Sequence, residues 1–165
     1  MKKVSAVLMG AGNRGAEVYA KYALDHPYEI QFVAVAEPNR ERRELFRQQH
    51  GISEDMCFES WEQILEKPKL ADAVLICTQD RMHFEPAIAS LEKGYHVLLE
   101  KPMSYDGREC VIMGDYARKY NRIFLICHVL RYTQFFSTIK RLLDEGKIGN
   151  LISIQHNENI AHWHF

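Results

Sequence analysis

Short apolar runs alternate with amphipathic stretches along the whole chain. The runs Val4–Met9, Ile30–Ala36, Ala73–Cys77, Tyr95–Leu99 and Ile123–Cys127 are rich in β-branched and other apolar residues and predict strands. The segments between them predict helices over Asn13–Asp25, Arg40–His50, Trp61–Leu65, Phe84–Lys93, Tyr105–Tyr120 and Tyr132–Glu145. Ala87, Ile88 and Leu91 share one helical face, as do Phe136, Ile139, Leu142 and Leu143. Gly51, Gly94 and Gly146 stand where helices should stop, Pro27 follows the first helix, and Ser60 can cap the third. A last strand is expected at Leu151–Gln155. Strands alternating with helices read as βαβ units. The expected fold class is therefore α/β, a doubly wound and mostly parallel sheet with helices on both faces.

Composition narrows the function classes. The chain has 165 residues, 47% of them hydrophobic, enough for a globular core without disulfides. Lys and Arg number 21 against 22 Asp and Glu, a net charge of −1, which argues against a module built to neutralise nucleic-acid phosphates. No apolar run approaches the roughly 20 residues that span a bilayer. Cys57, Cys77, Cys110 and Cys127 show no C-x-x-C spacing, so they read as reduced thiols and point to the cytoplasm.

The first strand runs into Gly10-Ala11-Gly12-Asn13-Arg14-Gly15, a G-x-G-x-x-G turn that opens a helix. In such turns the first glycine permits the tight bend. The second lets a pyrophosphate reach the backbone, and the third lets helix and strand pack closely. The second strand ends at Glu37, about 20 residues beyond the last glycine, where a carboxylate binds the adenosine ribose hydroxyls and repels a 2′-phosphate. This favours NAD over NADP. Arg40 gives the opposing signal, as an arginine there can accept a 2′-phosphate or stack on adenine. The fourth strand runs into Glu100-Lys101-Pro102. Ligands of open parallel sheets bind beyond the C-terminal strand ends, so Glu100 and Lys101 should face the cleft. A lysine partly desolvated there can exchange a proton with a substrate hydroxyl.

The glycine turn, Ala34–Pro38, Ile76–Thr78 with His83, Gly94–Val97 into Glu100-Lys101-Pro102, and Glu145–Gly149 occur in one order. Together they resemble the glucose–fructose oxidoreductase / inositol dehydrogenase / rhizopine-catabolism (Gfo/Idh/MocA) family. The resemblance implies a Rossmann domain binding NAD(P), expected over residues 1–149, with the start of a second, substrate-bearing α/β domain over 150–165. It implies Lys101 as catalytic residue assisted by His128, with His128 and Arg131 towards the substrate. Thr78 through His83 should pass close to the cofactor. The implied cofactor-binding set is Gly10, Gly12, Asn13, Arg14, Gly15, Glu37, Arg40, Thr78, His83, Glu100 and Lys101. The implied activity is hydride transfer between NAD and a sugar, polyol or related hydroxyl compound, in a protein that is a homo-oligomer when intact.

Family members run to well over 300 residues, so this chain is expected to be the cofactor half and poor in catalysis alone. Gln79 departs from the proline or asparagine often found after the threonine. Two other readings stand beside the lead: an NAD-dependent glycosidase that oxidises its sugar transiently, and a non-catalytic NAD-binding protein. His156, Glu158, His162 and His164 suggest a metal, but hydride transfer needs none and no metal is expected. His26 and His50 are expected to complement helix C-termini, and Arg40–Arg47 to form a solvated face. Phe135-Phe136 is expected as helix-face core, Tyr116 and Tyr120 as a packed pair, and Trp163, His164 and Phe165 as an interface or substrate wall.

Overall fold

The structure is a computed structural model that describes residues 2–159. It divides into two compact units, Met1–Cys127 and His128–Phe165. The first unit is a six-stranded parallel sheet of β1 (Val4–Met9), β2 (Ile30–Ala36), β3 (Cys57–Phe58), β4 (Ala73–Ile76), β5 (His96–Leu99) and β6 (Phe124–Ile126). The strand order is β3-β2-β1-β4-β5-β6, so the order reverses between β1 and β4, where a doubly wound sheet opens its ligand crevice.

The central strands β1, β2 and β4 bury both faces over most of their length, which explains their largely apolar runs. Ala6 and Leu8 of β1 enter one core with Phe32, Val35, Phe46 and Leu75. Val7 and Met9 enter the other with Ala34, Val74, Ile76, Leu91, Val97, Leu99 and Met113. Alternation slips once, in β2. Ala6 pairs with Phe32 but Val7 pairs with Ala34, so Val33 is an extra residue that turns with Ala34 towards one face.

Helices α2 (Arg40–His50), α3 (Trp61–Glu66), α4 (Phe84–Glu92) and α5 (Gly107–Lys119) follow the expected pattern closely. Asn39 caps α2 through the Arg42 amide (3.0 Å), and Asp106 caps α5 through the Arg108 amide (2.8 Å). Ser60 precedes α3 without a side-chain cap; instead Gln63 Oε1 accepts from the Glu59 amide at 2.9 Å. Tyr116 and Tyr120 pack with ring centroids 5.9 Å apart.

Other expectations are corrected. The first helix is not one α-helix: residues Asn13–Tyr19 form a π-helical segment, followed by α1 (Lys21–Asp25). Its wide turn is closed by the Ala20 amide on the Gly15 carbonyl at 2.9 Å, with Gly15 itself packed against the Gly10 carbonyl. His50 does not sit as a charged partner for its helix end. Its ring packs on Phe46 (4.2 Å) and Phe32 (5.2 Å), and burial pushes its pKa down. The arginine face is only partly solvated, since the Arg43 guanidinium turns back onto the Glu37 carbonyl. The strand at Leu151–Gln155 does not form. These residues are irregular and exposed, Ile152 at 91%, and no neighbouring strand among the described residues accepts their backbone bonds.

In the second unit, α6 (Gln134–Asp144) is capped by Thr133. The Phe135-Phe136 pair meets edge to face at 5.1 Å, but Phe135 is 68% exposed and is no core residue. No helix among the described residues is long and apolar enough to cross a membrane.

Candidate cofactor cleft

The site grows from the C-terminal ends of β1, β2 and β4. Gly10 takes φ +93°, and a Cβ on it would stand 2.5 Å from the Cys77 carbonyl oxygen. A Cβ on Gly15 would stand 2.1 Å from the Gly10 carbonyl oxygen, 3.1 Å from Leu8 Cδ1 and 3.3 Å from Cys77 Cβ. Folding alone therefore demands both glycines. Gly12 is different: its φ is −75° and a Cβ there would meet nothing within 4 Å. Packing does not require this glycine, whereas a pyrophosphate approaching the backbone would. Gly12 also precedes the π-helical segment without a side-chain cap, which leaves its first N–H groups without a side-chain acceptor.

A cleft of about 610 Å³ opens beside this turn. Gly10, Gly12, Glu37, Asn39, Arg42, Trp61, Thr78 and Gln79 are among its lining residues. Glu37 is 5% exposed, its Oε2 accepting from the Ala11 amide (2.8 Å) and its Oε1 from the Asn39 amide (2.9 Å). Each carboxylate oxygen keeps a lone pair, so the group can still accept from a ribose hydroxyl. Arg43 donates to the Glu37 carbonyl and, through Nη2, to Glu59 Oε1 at 3.2 Å. Arg40, at the exposed start of α2, is not among the lining residues, whereas Arg42 is. Asn13 borders a smaller hollow with Gly12 and Arg42.

Glu100, at the end of β5, is 6% exposed. Its Oε1 accepts from the Tyr19 hydroxyl at 2.6 Å and lies 4.0 Å from Arg14 Nε; its Oε2 accepts from the Lys101 amide at 2.6 Å. Burial, and then the bond to Glu100, push the Tyr19 pKa up, so this phenol is a donor. Lys101 itself is exposed, and its peptide bond to Pro102 is cis. Burial likewise holds the Cys77 and Cys127 thiols in their protonated form. His83 is enclosed between two backbone carbonyls instead of lining the cleft. His128 and Arg131 are exposed and belong to the second unit. Among the described residues no three His, Cys, Asp or Glu gather for a metal; His162 and His164, with Trp163 and Phe165, lie outside the described residues.

Sequence reasoning missed Asn39, Arg42, Trp61 and the Tyr19–Glu100 pair. Asn39 carried a signal, as an N-cap residue two positions after the acidic strand end.

The sequence profile of the GFO_IDH_MocA oxidoreductase family, described as an NAD-binding Rossmann fold, matches residues 4–128. The chain belongs to this family. The match covers the first compact unit almost from end to end, and residues 4–128 form the family's NAD-binding Rossmann domain. Oxidoreductase P35 of Formosa agariphila is 30% identical over 151 residues, covering 90% of this chain and 45% of that protein. Glucose-6-phosphate 3-dehydrogenase of Bacillus subtilis is 28% identical over 155 residues, covering 94% and 41%. Scyllo-inositol dehydrogenase of Lactobacillus casei, solved with NAD(H) and scyllo-inositol, superposes with a TM-score of 0.81 at 22% identity, covering 90% of this chain and 43% of that one. The chain thus spans under half the length of these relatives.

Proposed function

We propose that this Gfo/Idh/MocA domain holds NAD for a dehydrogenase acting on a sugar or polyol hydroxyl. The observation that carries the reading is the unexplained glycine: Gly12 faces open space beside a cleft that also presents a buried, backbone-anchored carboxylate. The glycine turn and the first N–H groups of the π-helical segment would hold the pyrophosphate. Glu37 would grip the adenosine ribose and repel a 2′-phosphate, which selects NAD. Bound NAD supplies the hydride acceptor at its nicotinamide. On that side of the sheet Lys101 would hold and move the hydroxyl proton at Nζ, while Glu100 fixes its backbone through the 2.6 Å amide bond. His128 would assist the proton transfer. The relatives' printed activities, glucose-6-phosphate 3-dehydrogenase and scyllo-inositol dehydrogenase, support a polyhydroxylated substrate. The four free cysteines support a cytoplasmic, reducing setting.

Calorimetric titration with NAD and NADP at matched salt tests the reading. Saturable binding that favours NAD is expected, and preference for NADP would overturn the role given to Glu37. In the intact protein, a panel of sugars and polyols should yield accumulating NADH. Turnover of a glycoside without net NADH would favour the transient-oxidation glycosidase instead.

A further inference from the structure

His83 is the buried titratable group that this reading leaves unused. It is 1% exposed, so a dinucleotide in the cleft meets the residues around it and not the imidazole. Its Nδ1 lies 2.7 Å from the Pro102 carbonyl oxygen and its Nε2 lies 3.2 Å from the Thr78 carbonyl oxygen. Thr78 follows β4 and lines the cleft with Gln79 and Met82; Pro102 follows β5 and is bonded to Lys101. The β4–β5 ladder has its last backbone rung at the Glu100 amide on the Ile76 carbonyl, 2.9 Å. Beyond that rung, side chains join the two segments. They are the His83 ring and the exposed Tyr105 hydroxyl on Asp80 Oδ2 at 3.0 Å. The loop itself is tied locally, by Thr78 Oγ1 on the Met82 carbonyl (3.0 Å) and the Met82 amide on the Gln79 carbonyl (2.7 Å). The imidazole is the buried link between this compact loop and the lysine turn, and the Tyr105 hydroxyl on Asp80 is the exposed one.

We propose that His83 is a positioning residue that fixes the cleft wall at Thr78 against the Lys101 turn, and so shapes the nicotinamide half of the site. The proposal rests on the NAD-binding reading above. Thr78 and Gln79 line the same cleft as Glu37, whereas the Lys101 turn follows β5, on the far side of the switch point from adenosine. Loss of the bridge should therefore weaken NAD more than ADP, which does not extend to the Lys101 turn. A merely structural role would weaken both ligands together.

The test is calorimetric titration of the chain with NAD and with ADP, for wild type, His83→Ala and His83→Asn, with thermal midpoints recorded. H83A is expected to bind NAD about tenfold more weakly and ADP within about twofold of wild type. H83N, whose amide N–H can reach the Pro102 carbonyl, should recover part of the NAD affinity. Equal weakening of both ligands, unchanged NAD affinity in H83A, or no recovery in H83N overturns the positioning role while leaving the cofactor reading intact. If H83A does not fold, H83N and H83Q are compared with wild type. Each keeps one of the two contacts and is expected to weaken NAD more than ADP, and equal weakening again overturns the proposal. A folded wild type that binds neither ligand overturns the cofactor reading and the positioning role together.

Discussion

Gly12 and Gly15 lie three residues apart in one turn, yet alanine should act on them in opposite ways. The Gly15→Ala methyl would sit 2.1 Å from a backbone oxygen, that of Gly10, which cannot swing aside as a flexible side chain can. Relief requires the turn to move off β1. Overpacking of this kind costs about 1–3 kcal/mol, and a backbone contact puts the change near the upper end. At roughly 2–4 °C per kcal/mol for proteins of this size, about 3 kcal/mol lowers the melting midpoint by roughly 6–12 °C. The Gly12→Ala methyl meets nothing, at a φ that alanine accepts, so the unfolded chain loses freedom and stability should rise by about 0.4–1 kcal/mol. That same methyl stands where the pyrophosphate must come close, and NAD affinity should fall at least about tenfold. Differential scanning calorimetry and NAD titration on both variants separate the two effects. A G12A protein that binds NAD like wild type, or a G15A protein that melts like wild type, would refute the division of labour among the glycines.

Glu37→Ala strands the Ala11 and Asn39 amides and removes the repulsive carboxylate. Stability should fall by about 1–3 kcal/mol in a denaturant titration, and the preference for NAD over NADP should narrow. Tyr19→Phe leaves the buried Glu100 short of its hydroxyl donor and should cost about 1–3 kcal/mol by the same assay. His50 has its pKa pushed below the ordinary 6.5 by burial, so the unfolded chain takes up that proton first. Stability should fall as pH drops through 6.5 towards the lower folded value, and His50→Gln should flatten that slope in pH-dependent melting. Glu44 is drawn down to about 2 by the Arg47 bond and then the Gln48 bond. Its stabilising share is present above the ordinary carboxylate value of 4.5 and lost as pH falls towards 2, so Glu44→Gln and wild type should converge in acid melts.

Much of this fold was legible because the central strands of a parallel sheet are buried on both faces and announce themselves as largely apolar runs. β3 has only two residues, Cys57 and Phe58, too short for any period to show. The π-helical segment was equally hidden. Its sequence still reads as helix, and the widening comes from a tertiary demand, the close packing of Gly15 on the Gly10 carbonyl. The glycines, Glu37 and Thr78 were readable as cleft residues because motif spacing places them at strand ends. Tyr19, Arg42 and Trp61 were not, since no local pattern tells a helix residue which neighbour it will meet across the sheet. His83 was visible as a candidate, but only coordinates could show both ring nitrogens turned towards backbone carbonyls. The strand expected at Leu151–Gln155 failed for a related reason. Apolar alternation states a preference, and a strand also needs a partner.

Glu37 joins four pieces of the domain through one residue. Its amide donates to the Phe58 carbonyl (3.0 Å), its carbonyl receives Arg43, and its carboxylate holds the Ala11 and Asn39 amides. Any ligand that takes hold of this carboxylate therefore also props the sheet margin formed by β3. Thermodynamic linkage sets the size: at about 100 times its Kd, a ligand adds about 2.7 kcal/mol against every opening that must first release it. Deuterium uptake around Cys57 and Phe58, far along the sheet from any hydride chemistry, would then slow about a hundredfold, and the edge of the domain would report on occupancy at its centre.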